Sequence, residues 1–159
     1  VVGNGLPKFT ASLTNSFRYR NFDLTLYFRG AFGYQIYDAQ DLYYGVMGAA
    51  PGTNVLKSAY AENAHVTEGK NVHSSYFVHD GDFVKLDVAT LGYTWNINKY
   101  ISRIRFYMTG RNLFTIRSYN RGLDPDSYCV NGLQPGIPYS KTGYYPSSRQ
   151  YLFGVQIDF

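Results

Sequence analysis

Two-residue alternation of apolar and polar side chains governs most of this chain, and it switches parity where the chain turns back. From Phe9 to Tyr19 the odd positions read Phe9, Ala11, Leu13, Asn15, Phe17 and Tyr19, and the even ones Thr10, Ser12, Thr14, Ser16 and Arg18. A strand points successive side chains to opposite faces, so this run has one apolar and one polar face, with Asn15 the exception. From Phe22 the parity flips: Phe22, Leu24, Leu26, Phe28, Gly30, Phe32, Tyr34 and Ile36 lie opposite Asp23, Thr25, Tyr27, Arg29 and Gln35. A two-residue hairpin loop at Arg20 and Asn21 accounts for the flip. With Tyr19 opposite Phe22, every paired position sums to 41. Phe17 then meets Leu24, Leu13 meets Phe28 and Phe9 meets Phe32, while Arg18 meets Asp23 on the other face. Asn21 is the loop residue whose type tolerates positive φ.

The same logic predicts three more strands. From Asp82 to Asn96, Val84, Leu86 and Val88 share a face before the pattern shifts to Leu91, Tyr93 and Trp95, which predicts a bulge near Ala89 and Thr90. Next, Ile104, Phe106, Met108, Gly110, Phe114 and Ile116 alternate with Arg103, Arg105, Tyr107, Thr109 and Arg111. Finally Tyr151, Phe153, Val155, Ile157 and Phe159 alternate with Gln150, Gly154, Gln156 and Asp158. The expected strands are 9–19, 22–37, 82–96, 103–117 and 148–159, joined by short turns and by long segments at 38–81 and 118–147. Within the first long segment, the spacing of Val55, Leu56, Ala59 and Tyr60 predicts a short helix near Asn54 to Asn63.

Connections this long are out of place in a compact soluble domain. Short turns at one end and long loops at the other are the pattern of an outer-membrane barrel, with its turns in the periplasm and its loops outside. The first, third and fifth strands then run inward, which brings Phe159 to the periplasmic side. Aromatic residues make up 18% of the chain although its mean hydropathy is only -0.29. No apolar run approaches the length of a spanning helix, whereas alternating barrel strands average to a weak hydropathy signal. Tyr19, Phe22, Tyr93, Trp95, Tyr100 and Phe159 gather at the short-turn end, and Tyr34, Tyr37, Tyr119 and Tyr151 towards the loops, as two interfacial girdles. A soluble all-β domain that binds carbohydrate through loop tyrosines shares the alternation, without explaining the loop asymmetry. Five strands cannot close a barrel, and lipid does not tolerate an open edge. Either several copies join to close a barrel or the chain, which has no initiator methionine or signal-peptide pattern, is part of something longer, and the second is the more economical expectation.

Other chemistry is sparsely represented. The net charge of +4 is spread without a Lys/Arg cluster, so no nucleic-acid partner is expected. His65, His73 and His79 do not have zinc-ligand spacing, and Cys129 is the single cysteine. No metal, cofactor or catalytic residue is assigned. The one tempting catalytic cluster is His79, Asp80, Gly81 and Asp82, a base beside carboxylates of the kind an outer-membrane hydrolase would use. Asp-Gly is first a turn signal, and these residues lead directly into a strand.

Six segments, in order, carry a family resemblance: "GNGLPKF" (3–9), "YRNFDLTLYFRGAFG" (19–33), "DGDFVKLDVATLGYTW" (80–95), "RFYMTGRNLFTI" (105–116), "GLDPD" (122–126) and "YYPSSRQYLFGVQIDF" (144–159). Together they resemble the C-terminal end of the SusC/RagA-type TonB-linked outer-membrane transporters of Bacteroidota. The resemblance implies an all-β, antiparallel transmembrane barrel of 22 strands, of which this chain supplies about five, with an N-terminal plug lying outside it. It also implies a SusD-like surface lipoprotein, contact with the TonB complex through the N-terminal part, and import of oligosaccharides or peptides. Arg18, Asp23, Arg29, Lys85, Asp87, Arg105 and Arg111 are expected to face the lumen or plug. Tyr43, Tyr44, Tyr128, Tyr139, Tyr144 and Tyr145 are the candidates for stacking on a loop-bound ligand. The ending "LFGVQIDF" resembles the signal read by the barrel-assembly machinery, with Gly154, Ile157 and Phe159 as its elements and outer-membrane lipid around its apolar face.

Overall fold

A computed structural model describes residues 3–50, 52–66, 74–97, 102–120, 124–126 and 147–158. Strands β1 (Phe9–Tyr19) and β2 (Phe22–Phe32) form the first hairpin. Ser16 Oγ lies 3.5 Å from Thr25 Oγ1 and the Phe9 and Phe32 rings stack at 5.7 Å, both pairs that sum to 41. The residue with positive φ in the turn is Arg20, at 52°, rather than Asn21. Its guanidinium lies 5.4 Å from the Tyr19 ring centre, a cation–π contact that helps offset the left-handed backbone.

β2 does not run on to residue 37, although the alternation does. Gly33, at φ +70°, breaks it, and the Gly33 N–H donates to Asp82 Oδ1 at 2.7 Å. The backbone re-forms as β3 (Gln35–Tyr37) in a separate two-stranded sheet with β4 (Val78–Asp80), with Ile36 opposite His79. Between them, α1 (Ala39–Tyr44) is capped by Asp38, which accepts the Asp41 N–H at 2.8 Å. The helix expected near Asn54 to Asn63 is instead a single 3₁₀ turn, Lys57–Tyr60. Asn63 ends it, because its N–H reaches back to the Ser58 carbonyl while its side chain donates to Asp41 and to the Gly45 carbonyl, both at 2.8 Å.

The remaining strands are β5 (Phe83–Asn96), β6 (Arg103–Arg117) and β7 (Gln150–Asp158). The five long strands form one sheet in the order β1-β2-β5-β6-β7, and β6 pairs antiparallel with β7 from Arg103–Asp158 to Arg111–Gln150. β5 changes parity midway. Asp87 meets Arg29 of β2, whereas the face of β5 beside Asp23, also odd-numbered in β2, is that of Gly92. Odd and even positions of one strand share a face only if a residue is inserted between them.

The chain divides into two compact units. One comprises Thr10–Gly30, Phe83–Ile116 and Ser147–Phe159, and carries most of the long sheet. The other comprises Val1–Phe9, Ala31–Asp82 and Arg117–Pro146, and carries the long connections. The second has its own core, in which Leu42, Val46, Ala49 and Phe77 are buried and Tyr37, Tyr43, Val55 and Val66 pack against them.

Candidate functional site

The two faces of the long sheet have opposite chemistry. Leu13, Phe17, Leu91, Trp95, Phe106, Met108, Phe153, Val155 and Ile157 are all exposed, Phe153 by 73%. Of the buried apolar side chains among the described residues, Phe83 and Leu86 alone belong to the sheet unit. An apolar sheet face of this extent that stays uncovered marks contact with something other than water. At its short-turn end the Phe22 and Tyr93 rings meet at 4.8 Å and Trp95 is exposed, the placement that suits a headgroup layer. The loop-end girdle is less complete than the sequence suggests. Tyr151 is exposed, but Tyr34 and Tyr119 are only 6% and 4% exposed and lie inside the loop unit.

The other face is an ion-paired polar wall. Arg29 Nε donates to Asp87 at 2.7 Å. Arg105 clasps Asp23 through Nε at 3.2 Å and a terminal nitrogen at 2.6 Å, and Arg103 pairs with Asp158. Arg18, Asp23, Arg103, Arg105, Ser16 and Thr25 are among the residues around a cavity of about 460 Å³. Lys85 is 2% exposed, and its ammonium and the Arg29 guanidinium each lie 5.8 Å from the Phe83 ring centre. Arg111 stands opposite Gln150 at the other end of the β6–β7 ladder.

Two glycines make this wall possible. Asp23 is on β2 and Arg105 on β6, with β5 between them, so their pair crosses over an intervening strand. It crosses at Gly92, where a Cβ would stand 2.5–2.6 Å from the Asp23 carboxylate oxygens and the Arg105 guanidinium. Gly154 of β7 is opposite Tyr107 of β6, whose ring occupies the space a Cβ would need. An aromatic ring laid over a neighbouring glycine restores cross-strand contact that the glycine cannot make. Neither role is apparent from the period-two pattern. The available signal for Gly92 is a glycine whose post-bulge parity faces an acid and a base on the same side.

The remaining sequence candidates are scattered. Tyr43 and Tyr44 are half-buried at the end of α1, Tyr43 against the loop core. Tyr128, Tyr139, Tyr144, Tyr145, Cys129, His73, Tyr100 and Phe159 lie outside the described residues. Ile157 is exposed opposite Ile104. The His79 cluster is dispersed into structural contacts: the His79 ring lies tilted, 5.4 Å from that of Tyr119, Asp80 pairs with Gln35, and Asp82 accepts the Gly33 N–H.

Sequence reasoning missed a buried polar network in the loop unit. Asp38 accepts from the Tyr119 hydroxyl, Asp41 accepts from Ser58 at 2.5 Å and from Asn63 at 2.8 Å, and Tyr76 donates to Asn63 at 2.8 Å. Burial pushes the Asp38 carboxyl above the usual carboxylate range, against the opposing pull of the Tyr119 hydroxyl and the Asp41 amide. The folded unit thus holds this proton more tightly than the unfolded chain. The stabilisation is fully present below the unfolded value and is lost as pH rises through the raised folded value. Protease resistance of the loops should fall with rising pH across that window, and Asp38→Asn should flatten the dependence.

No protein-family model matches the chain. Over its whole length it is similar to TonB-dependent receptor P3 of Formosa agariphila, with 29% identity over 176 residues covering 17% of that protein. Over 92% of its length it is similar to TonB-dependent receptor SusC of Bacteroides thetaiotaomicron, with 29% identity covering 15% of that protein. Among solved structures it superposes on the RagAB peptide transporter with a TM-score of 0.69 at 18% identity, over 98% of this chain and 17% of that one. It superposes on the closed-closed state of the RagAB peptide importer with a TM-score of 0.68. The chain therefore spans about 17% of the length of the first of these relatives. Its open antiparallel sheet, apolar outside and ion-paired inside, is a section of membrane β-barrel wall. In sequence that section is similar to TonB-dependent receptors, SusC among them.

Proposed function

We propose that the chain is the C-terminal wall, with two outer loops, of an outer-membrane transporter that imports oligosaccharides or peptides by a TonB-dependent route together with a SusD-like lipoprotein. The observation that carries this reading is a sheet whose large apolar side chains are exposed while its opposite face is paired charge. Outward residues meet lipid, and Arg18, Asp23, Arg29, Lys85, Asp87, Arg105 and Arg111 line the lumen or meet the plug. The segments at 38–81 and 118–147 face outside, and the candidate tyrosines among them contact cargo or the lipoprotein. Gly154, Ile157 and Phe159 serve recognition by the assembly machinery, and Gly154 also seats Tyr107. The relatives are named as receptors and transporters rather than enzymes, and the dispersal of the His79 cluster fits the same reading.

The test uses the full-length protein in its own cell. It should fractionate with the outer membrane and require detergent for extraction, and deleting its gene should abolish growth on one class of oligosaccharide or peptide as sole nutrient. Recovery in the soluble fraction without detergent, or undiminished growth on every member of both classes, would overturn the proposal.

A further inference from the structure

The two long connections are far apart in sequence, yet each contributes to a single buried polar joint. Tyr119 opens the second connection, and its hydroxyl donates to Asp38 at the start of the first, 81 residues earlier. Its ring lies tilted against that of His79, near the end of the first connection. Six residues beyond Tyr119, the carbonyl of Pro125 accepts the hydroxyl of Tyr34 at 3.2 Å across 91 residues. Pro125 is itself fully buried. Space for the Tyr34 ring exists because position 81 is glycine, where a Cβ would stand 2.6 Å from Cε2 and Cζ of that ring. The tyrosines are thus buried by the loop unit, and each hydroxyl is spent on the other connection.

We propose that Tyr119–Asp38 and Tyr34–Pro125 form a two-point latch that fastens the root of the second outer loop to the folded first loop, so that residues 118–120 and 124–126 move with the first loop as one body. Both acceptors lie inside the unit, so breaking either bond leaves a buried oxygen without its donor. The Asp126 N–H also donates to the Asp124 side chain at 3.1 Å, which makes the segment after the joint a turn of defined shape. The latch therefore holds residues 124–126, directly before the segment 127–146 in which four of the tyrosine candidates for ligand contact lie. Its value for import rests on the transport reading above, whereas its existence does not.

Tyr34→Phe and Tyr119→Phe, singly and together, remove the hydroxyls and keep the rings. In the assembled full-length protein at neutral pH, amide exchange at 118–120 and at 124 and 126 should accelerate about tenfold in each single variant and about a hundredfold or more in the double variant. Exchange in the long strands should not change. A spin-label pair with one label on each loop should show a broadened distance distribution in the double variant. Unchanged exchange and an unchanged distribution there would overturn the latch. Altered exchange with nutrient uptake at the wild-type level would keep the latch and remove its role in import. Should the double variant fail to assemble, the single variants decide, since each must loosen the segment it anchors.

Discussion

Phe153→Arg in the full-length protein should lower the stability of the folded barrel by about 2–4 kcal/mol, while Leu152→Arg on the same strand should cost about 1 kcal/mol or less. Phe153 is exposed on the apolar face opposite Met108, and Leu152 is opposite Thr109 on the face that carries the ion pairs. A guanidinium near mid-strand on the outer face has no water to solvate it and must deform the bilayer or snorkel. One on the inner face meets polar side chains. The measurement is equilibrium unfolding by urea from lipid vesicles, with heat-modified migration on gels as the record of folding. Equal effects at the two neighbouring positions would sink the assignment of faces. A fluorophore at position 153 that is quenched by an aqueous ion and not by brominated lipid would do the same.

The second large effect is expected at Gly92. A valine there would place branched carbon in the space now crossed by the Asp23–Arg105 pair, forcing both side chains aside. Charge-assisted hydrogen bonds to a partly buried partner are worth roughly 1.5–3 kcal/mol, so Gly92→Val should destabilise by about 2–3 kcal/mol. Most of that loss should be shared with the pair itself. In a double-mutant cycle, Gly92→Val should cost much less once Arg105→Met has already removed the clasp. Full additivity would show that the glycine serves some other purpose.

Much of the sheet was legible in the sequence because the barrel wall makes period two unusually clean. Each strand has one apolar and one polar face, so every parity flip at Arg20–Asn21 or slip at Ala89–Thr90 marks a turn or bulge. The pattern failed where that two-sided environment ended. Tyr34 and Ile36 continue the alternation of β2, yet Gly33 turns the chain into a small sheet whose surroundings are protein. There an apolar residue is simply buried. For the same reason Tyr34 and Tyr119 resemble girdle residues in one dimension and are interior hydrogen-bond donors in three.

The strands' two faces, the first hairpin's register, the loop asymmetry and the family resemblance can all be read from the order of residues. All of these follow from local periodicity, or from a solvent boundary that repeats along every strand. Which charges pair across β5, why positions 92 and 154 are glycine, and how Asp38, Tyr34, Tyr119 and Pro125 join two loops emerge only in the folded chain. Those contacts depend on strand order and on partners tens of residues apart, and periodicity along one strand carries no information about what lies beyond its neighbour.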